Sequence, residues 1–420
     1  MTSRHARDQV FLVVGIGSHK GRDDRPYREY LLRAAADRHA VWLFENEEPT
    51  WQSDYATGST VLNLFDTDEM IQAAKSLAAR HDVVGVLCPD EAVLRHYAAV
   101  VDFLGLPGLS AATAANCRDK KTSRRLLTEA GVAQPGFTTV RSAEEARAAA
   151  AELGFPVVVK PRTLGASYGV VGVHRPEEMA EAFSVSTRAS YPGVEVPDDY
   201  LVEQFLTGEE ISIDGVVYDG RYRAMFVAHK KVADAPYFVE VGHTVFGDDP
   251  LVEDGALIEM LQEAHRALGI THGATHTEVK LTPRGPVIVE INGRPGGDLV
   301  PRLGEMATGI DVGAVCVDAV TGREPLISRT RSKTVSIRFL RPQKDLVLRS
   351  VDLSDTVALP GVVEAGTAAA PGSVLRRPPH DYVARYAYII VEGENEEECA
   401  ELLDRAERTV RLDFDPLESE

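Results

Sequence analysis

The chain has 420 residues, and its 45 Lys and Arg stand against 64 Asp and Glu, a formal net charge of −19. That length suits roughly two or three domains with cores of their own, and a composition 44% apolar and 26% charged excludes general disorder. The acidic excess argues against a broad phosphate-backbone footprint, so nucleic acid is not an expected partner; a small anion held by a few local cations remains compatible with it.

The apolar run Val10–Val14 is too short for a secretory segment or a membrane span and reads as a buried strand. Val41–Phe44, Val61–Leu64 and Val83–Leu87 repeat the pattern, with amphipathic helices expected over Tyr27–Arg38 and Asp68–Arg80 between them. This alternation predicts an α/β unit with a parallel sheet over residues 1–115, ended by Leu104-Gly-Leu-Pro-Gly108. A helix over Lys120–Ala130 then opens a second segment, 116–328, whose strands and long turns are of α+β character. The third, 329–420, starts with a strand at Thr334–Leu340, returns in a long strand Tyr382–Val391 and closes with a helix over Glu396–Arg411. Residues 392–420 contribute −9 of the net charge and read as a solvated face. Cys88, Cys117, Cys316 and Cys399 lie far apart without metal-ligand spacing, and no apolar run approaches a membrane span, so a reduced, cytoplasmic chain without membrane contact is expected.

Three short motifs carry little. Gly15-Ile-Gly17 with Glu45 downstream resembles part of a dinucleotide fingerprint, but position 20 is Lys20, and a close strand-to-helix turn explains the glycines. Gly165-Ala-Ser167-Tyr-Gly169 matches the spacing of a hydrolase elbow, yet Gly169–Val173 reads as a second strand where that motif needs a helix. His276-Thr-Glu278 lacks the downstream cysteines of a zinc deaminase.

The strongest local pattern is a hairpin, strands at about 275–281 and 286–292 flanking a turn with Pro283 and Gly285. Centred on residue 284, it places Glu278 across from Glu290 and His276 across from Asn292, all on one face. Facing carboxylates repel, so the pair needs a cation; two carboxylates and an amide carbonyl suit Mg²⁺ carried with a nucleotide's phosphates, against the plainer reading of a solvated hairpin whose carboxylates splay apart. Upstream, Lys160 closes the apolar strand Val157–Lys160 and precedes the glycine-bearing stretch 165–169, a cation beside a flexible flap whose backbone N–H groups can wrap phosphate. Leu201-Val-Glu203-Gln204-Phe-Leu206, then Gly208-Glu-Glu210, is by itself an ordinary strand-turn-strand.

Together these residues resemble an ATP-grasp carboxylate–amine ligase, most specifically from Asn116 to about Asp311. The resemblance implies a Rossmann-like N-terminal domain (1–115), a central two-lobed ATP-grasp domain (116–328) and a small C-terminal α+β domain (329–420). It implies ATP contacts by Lys120 (with Lys121 as competitor) and Lys160, a phosphate-covering loop with Gly165, Ser167, Tyr168 and Gly169, and an adenine hinge at Glu203, Gln204 and Leu206. It further implies ribose binding by Glu210, Mg²⁺ (or Mn²⁺) on Glu278, Glu290 and Asn292, and an acyl-phosphate arginine, Arg294. Within the family, Phe238-Val-Glu240-Val-Gly-His243 resembles the Glu/His element of L-amino acid ligases, giving Glu240 and His243 a catalytic part. The expected activity is ADP-forming amide, dipeptide-like ligation of small carboxylate and amine substrates through an acyl phosphate, by a homodimer. The alternatives are a biotin-carboxylase-like or purine-pathway enzyme and, remotely, a nucleotide-binding regulator or a serine hydrolase.

Overall fold

A computed structural model describes residues 8–17 and 24–417. Strand Gln9–Val14 is buried from Val10 onward because both its faces are covered, as a parallel sheet requires. Val10, Leu12 and Val14 share a core with Leu77 and Tyr97, while Phe11 and Val13 pack with Leu31 and the apolar helix Val312–Val320 on the other side. The sheet order is Gly58–Val61, Ala40–Glu45, Gln9–Val14, Asp82–Leu87, all parallel, with helices Arg25–Ala36 and Thr67–Arg80 in the connections. The strand expected at Val61–Leu64 lies instead at Gly58–Val61: Leu62 and Leu64 are buried, which gave the run its strand-like look, but beyond Val61 the backbone leaves the ladder. The Gly15–Gly17 turn is structural. Both glycines have positive φ, and Glu45, buried, accepts a hydrogen bond from the Ile16 N–H at 2.8 Å.

The middle of the chain builds two antiparallel sheets. A four-stranded one runs Phe137–Val140, Tyr200–Gln204, Val157–Pro161, Val171–Val173. Its last strand starts at Val171, not Gly169, because residues 165–169 form a turn with Ala166, Ser167 and Gly169 at positive φ. The larger sheet has eight strands in the order Gly285–Asn292, Gly273–Thr282, Glu209–Tyr218, Arg221–Ala233, Val239–Phe246, Thr334–Leu340, Ala387–Gly393, Val362–Thr367, so it runs unbroken from the middle segment into the last. Together with the parallel N-terminal sheet and its helices these sheets give the α/β and α+β architecture that the resemblance implies.

The hairpin reaches the expected register by another route. Its turn is centred between Pro283 and Arg284, with Thr282 opposite Gly285, and a bulge at Val289 then restores Glu278 opposite Glu290 and His276 opposite Asn292.

Two C-terminal expectations need correction. The strand expected at Tyr382–Val391 begins only at Ala387; the segment before it leaves the sheet and carries Arg385 to Asp298. The last helix stops at Glu407, and Arg411–Pro416 is a strand on Leu346–Asp352. Leu412 and Phe414 alternate inward there, a period-two signal masked by the acids between them. No described helix is long and apolar enough to cross a membrane.

Candidate active site

Three adjoining cavities, of about 110, 100 and 270 Å³, lie between the two middle sheets and the N-terminal unit, and Gly165 and Ala166 of the flap line all three. The first is lined by Lys120, Lys160, Ser167, Glu203, Gln204, Leu206, Glu210, Glu278 and Glu290. Lys120 reaches it because Asp119 caps the helix Lys120–Glu129, accepting from the Lys121 N–H at 3.1 Å, which sets Lys120 in the first turn. Its Nζ donates to the Leu164 carbonyl at 2.6 Å and sits 2.9 Å from Glu290 Oε1. Lys121 points elsewhere, to Asp199. One helical turn after Lys120, Arg124 shares its face and grips Glu203 with Nε at 2.8 Å and Nη2 at 3.2 Å, while Lys160 Nζ lies 2.6 Å from the same carboxylate. Burial pushes Glu203 up, but Arg124 and Lys160 overrule it and hold the carboxyl at about 2. Lys160 is pushed down by burial, with Arg124 and Lys120 adding to the effect against Glu203, since two cations share one acid.

Lys230 is the electrostatic hub between the first cavity and the second. Almost fully buried, its Nζ lies 2.9 Å from Glu210 Oε1, 3.1 Å from Glu240 Oε1 and 3.1 Å from Glu278 Oε2. Burial alone would lower it; the three carboxylates raise it well above the ordinary lysine value. Glu210 also meets Lys280 at 3.0 Å and, despite burial, is held down by the two lysines. Glu278 stays raised, by burial and by the neighbouring Glu240, Glu210 and Glu290, against Lys230. Glu290 is lowered, burial being overcome by Lys120 and Lys160. The neighbouring His229 faces outward between Glu209 and Asp249, at 2.5 and 2.7 Å.

The second cavity joins the other two and is lined by Glu240, His243, His276, Glu278, Glu290, Asn292, Arg294, Asp298 and Arg385. Glu240 is held at about 2 by Lys230 and His243 in spite of burial. His243 is buried with neither ring nitrogen hydrogen-bonded; its Nε2 lies 3.5 Å from Glu240 Oε2, and the acids beside it raise it against burial. His276 Nδ1 is tied to Asp214 at 2.6 Å, and Asp214 also accepts the Gly296 N–H at 2.9 Å, fixing the loop two residues after Arg294. Arg294 Nε lies 2.7 Å from Glu91 Oε2, whose other oxygen accepts from Arg118 at 2.9 Å. The third cavity opens from there toward the N-terminal unit.

Ser167 donates its hydroxyl to the Phe238 carbonyl at 2.9 Å, so it is spent on holding the flap. Tyr168 lines the third cavity and packs on Tyr382 and Tyr191, ring centroids 5.2 and 6.0 Å away. Gly169 lines none of the three cavities. Its φ is +72°, and a Cβ there would lie 2.6 Å from Ala189 Cβ, so it serves the turn and not the cavity. The remaining expected site residues are brought together. Sequence reasoning passed over Arg124, Glu91, Asp298 and Arg385. The spacing of Arg124 four residues after Lys120 marks it as a neighbour on the same helix face, and Glu91 follows the carboxyl end of a parallel strand, where ligands of such sheets collect.

The ATP-grasp domain family matches residues 153–301, and the family described as L-amino acid ligase C-terminal domain 2 matches residues 338–415. D-alanine–D-alanine ligase of Gloeobacter violaceus is 30% identical over 228 residues, 50% of this chain and 72% of that one. The chain belongs to the ATP-grasp carboxylate–amine ligases. Alanine–anticapsin ligase of Bacillus subtilis is 25% identical to this ATP-grasp enzyme over 388 residues, 82% of this chain and 80% of that one. The solved L-amino acid ligase from Bacillus licheniformis superposes with a TM-score of 0.79 at 21% identity, covering 98% of this chain and 100% of that one, a likeness of fold. This ATP-grasp chain is an ADP-forming carbon–nitrogen ligase that binds ATP.

Proposed function

We propose that the enzyme joins two amino acids into a dipeptide-like amide through an acyl phosphate. The observation that carries this reading is the middle cavity, where Glu278 faces Glu290 beside Asn292 and Arg294, between a cavity suited to a nucleotide and one of about 270 Å³ suited to a small substrate. The names of the relatives, alanine–anticapsin ligase and L-amino acid ligase, support amino acids as the substrates.

Lys120 and Lys160 offset triphosphate charge, Glu203, Gln204 and Leu206 border the adenine, and Glu210 takes the ribose hydroxyls. Glu278, Glu290 and Asn292 form an all-oxygen donor set that fits Mg²⁺, with Mn²⁺ as a substitute. The fit rests on the donor set: Glu278 and Glu290 face each other across the hairpin, Asn292 lies two residues beyond Glu290 on the same strand, and all three line one cavity. Bound there, the ion offsets phosphate charge. An oxygen of the first substrate's carboxylate bonds to the γ-phosphorus as the bond to ADP breaks. The amine lone pair of the second then attacks the acyl carbon, and phosphate leaves with that oxygen. Arg294 stabilises the oxyanion of the tetrahedral intermediate, and Glu240 with His243 faces the cavity where the ammonium must shed a proton before attack. Gly165 and Ser167, on a turn shaped by Gly169, cover the phosphates, and Tyr168, over the third cavity, helps exclude water that would hydrolyse the acyl phosphate.

The test is ADP release across a matrix of amino acids, each alone and in pairs. Release requiring a pair, with the amide found by mass spectrometry, supports the reading; release with bicarbonate alone overturns it.

A further inference from the structure

Six residues line both the second and the third cavity: Gly165, Ala166, Arg294, Gly297, Asp298 and Val383. Two of them are charged, one cation and one anion. A junction of this kind matches the two partners of amide formation, since the acyl group carries developing negative charge and the incoming amine arrives as an ammonium. Arg294 is accounted for; Asp298 is not.

Asp298 is held with unusual care. Its carboxylate takes two parallel bonds from Arg385, Nη1 to Oδ1 and Nη2 to Oδ2, both 2.6 Å. Arg385 comes from the C-terminal segment and is 5% exposed; its guanidinium stacks 3.6 Å over the Phe339 ring, and Nη2 also reaches the Glu240 carbonyl at 3.2 Å. Asp298 and Leu299 both sit at positive φ, +52° and +63°, a conformation that non-glycine residues keep only where the surroundings enforce it. The bidentate pair leaves further lone pairs on each carboxylate oxygen able to accept from a substrate N–H. Nearby, His243 is 1% exposed with both ring nitrogens unbonded, its Nε2 4.0 Å from Asp298 Oδ2, so the pocket around the carboxylate holds polar valences that the protein itself does not fill. Four carboxylates line the second cavity (Glu240, Glu278, Glu290 and Asp298), with Arg294 and Arg385 beside them and Lys230 and Lys120 set against the three glutamates. Glu278 and Glu290 are the metal ligands of the proposed reaction, and Glu240 is engaged by Lys230.

We infer that Asp298 binds the ammonium group of the second, amine-donating amino acid at the junction of the two cavities, with Arg385 as its positioning residue. This rests on the acyl-phosphate reading above and adds to it where the nucleophile is held. The C-terminal segment thereby helps build the acceptor site.

The test uses hydroxylamine, a small nucleophile that is uncharged at neutral pH and needs no ammonium site, beside the natural amine. With the full-length enzyme, Asp298→Asn is expected to raise the KM for the amino acid amine at least tenfold, with KM for ATP and for the first substrate within twofold. Hydroxamate formation from the first substrate should fall far less than amide formation does. Arg385→Met should shift the amine KM in the same direction and Arg385→Lys should recover part of it; should Asp298→Asn not fold, these two decide. Parallel loss of amide and hydroxamate, or an unchanged amine KM, overturns the inference. No hydroxamate from the unmodified enzyme overturns the acyl-phosphate reading and the inference with it.

Discussion

Gly296→Ala probes how tightly the reaction centre is set. A Cβ at residue 296 would lie 2.9 Å from Asp214 Oδ1, 2.9 Å from His276 Nδ1 and 3.1 Å from Asp214 Oδ2, where ordinary contact begins at 3.4 Å. The loop must therefore retreat by about half an ångström, because the two atoms in its way are bound to each other at 2.6 Å and both residues are buried. Retreat weakens the Gly296 N–H bond to Asp214, and overpacking of this kind costs about 1–3 kcal/mol. Arg294 lies two residues upstream on the same loop, and misplacement of a positioning group by ~1 Å lowers rates by ~100-fold, so half that shift predicts a fall in kcat of about tenfold. The KM for ATP should hold, since the nucleotide cavity is lined from other elements. Steady-state kinetics with a thermal melt read both effects. Gly255→Ala, on the far helix where a Cβ meets nothing, is the control with neither. Unmodified kcat and melting temperature for Gly296→Ala would refute the argument that this loop fixes Arg294.

Three further outcomes are expected. Glu203 is held near 2 in the fold, against an ordinary value of 4.5, so it stabilises the native state fully above pH 4.5 and loses that contribution as pH falls toward 2; the shift corresponds to about 3 kcal/mol. Chemical denaturation should show a shallower decline between pH 4.5 and 2 for Glu203→Gln than for the unmodified chain, and parallel declines would contradict the pairing. Lys230→Met leaves three carboxylates without their shared cation, costing about 3–5 kcal/mol in the ligand-free protein. Saturating Mg²⁺ and ATP should recover a large part of that in a melt; equal loss with and without them would argue against Lys230 sharing Glu278 with the proposed ion. Tyr168→Ala removes the flap's packing on Tyr382, so phosphate release should exceed amide formation, and a ratio held at one to one would contradict the sealing role.

Much of the middle cavity was legible because strands constrain one another. Period-two alternation and a short turn limited the hairpin to few registers, and Glu278 facing Glu290 followed, although the bulge at Val289 and a turn half a residue away produced it together. That bulge turns the Val289 carbonyl to Arg124 at 2.7 Å, a contact between segments 165 residues apart that no local pattern announces. Asp298 and Arg385, separated by 87 residues, were hidden for the same reason, and Tyr382–Val391 looked like an uninterrupted strand because apolar and aromatic side chains suit a buried irregular segment equally well. The final strand Arg411–Pro416 shows the reverse case: its acids on the open face resembled the solvated side of a helix. Lys120 and Lys121 could not be separated by adjacency alone; the Asp119 cap decides which of them turns inward.

The central claim is tested most directly by following a single oxygen atom. With the first amino acid labelled with oxygen-18 in its carboxylate, an acyl phosphate transfers one labelled oxygen to the released phosphate for each amide formed, and mass spectrometry of the phosphate should find it there. Phosphate without the label, alongside amide formation, would contradict the account.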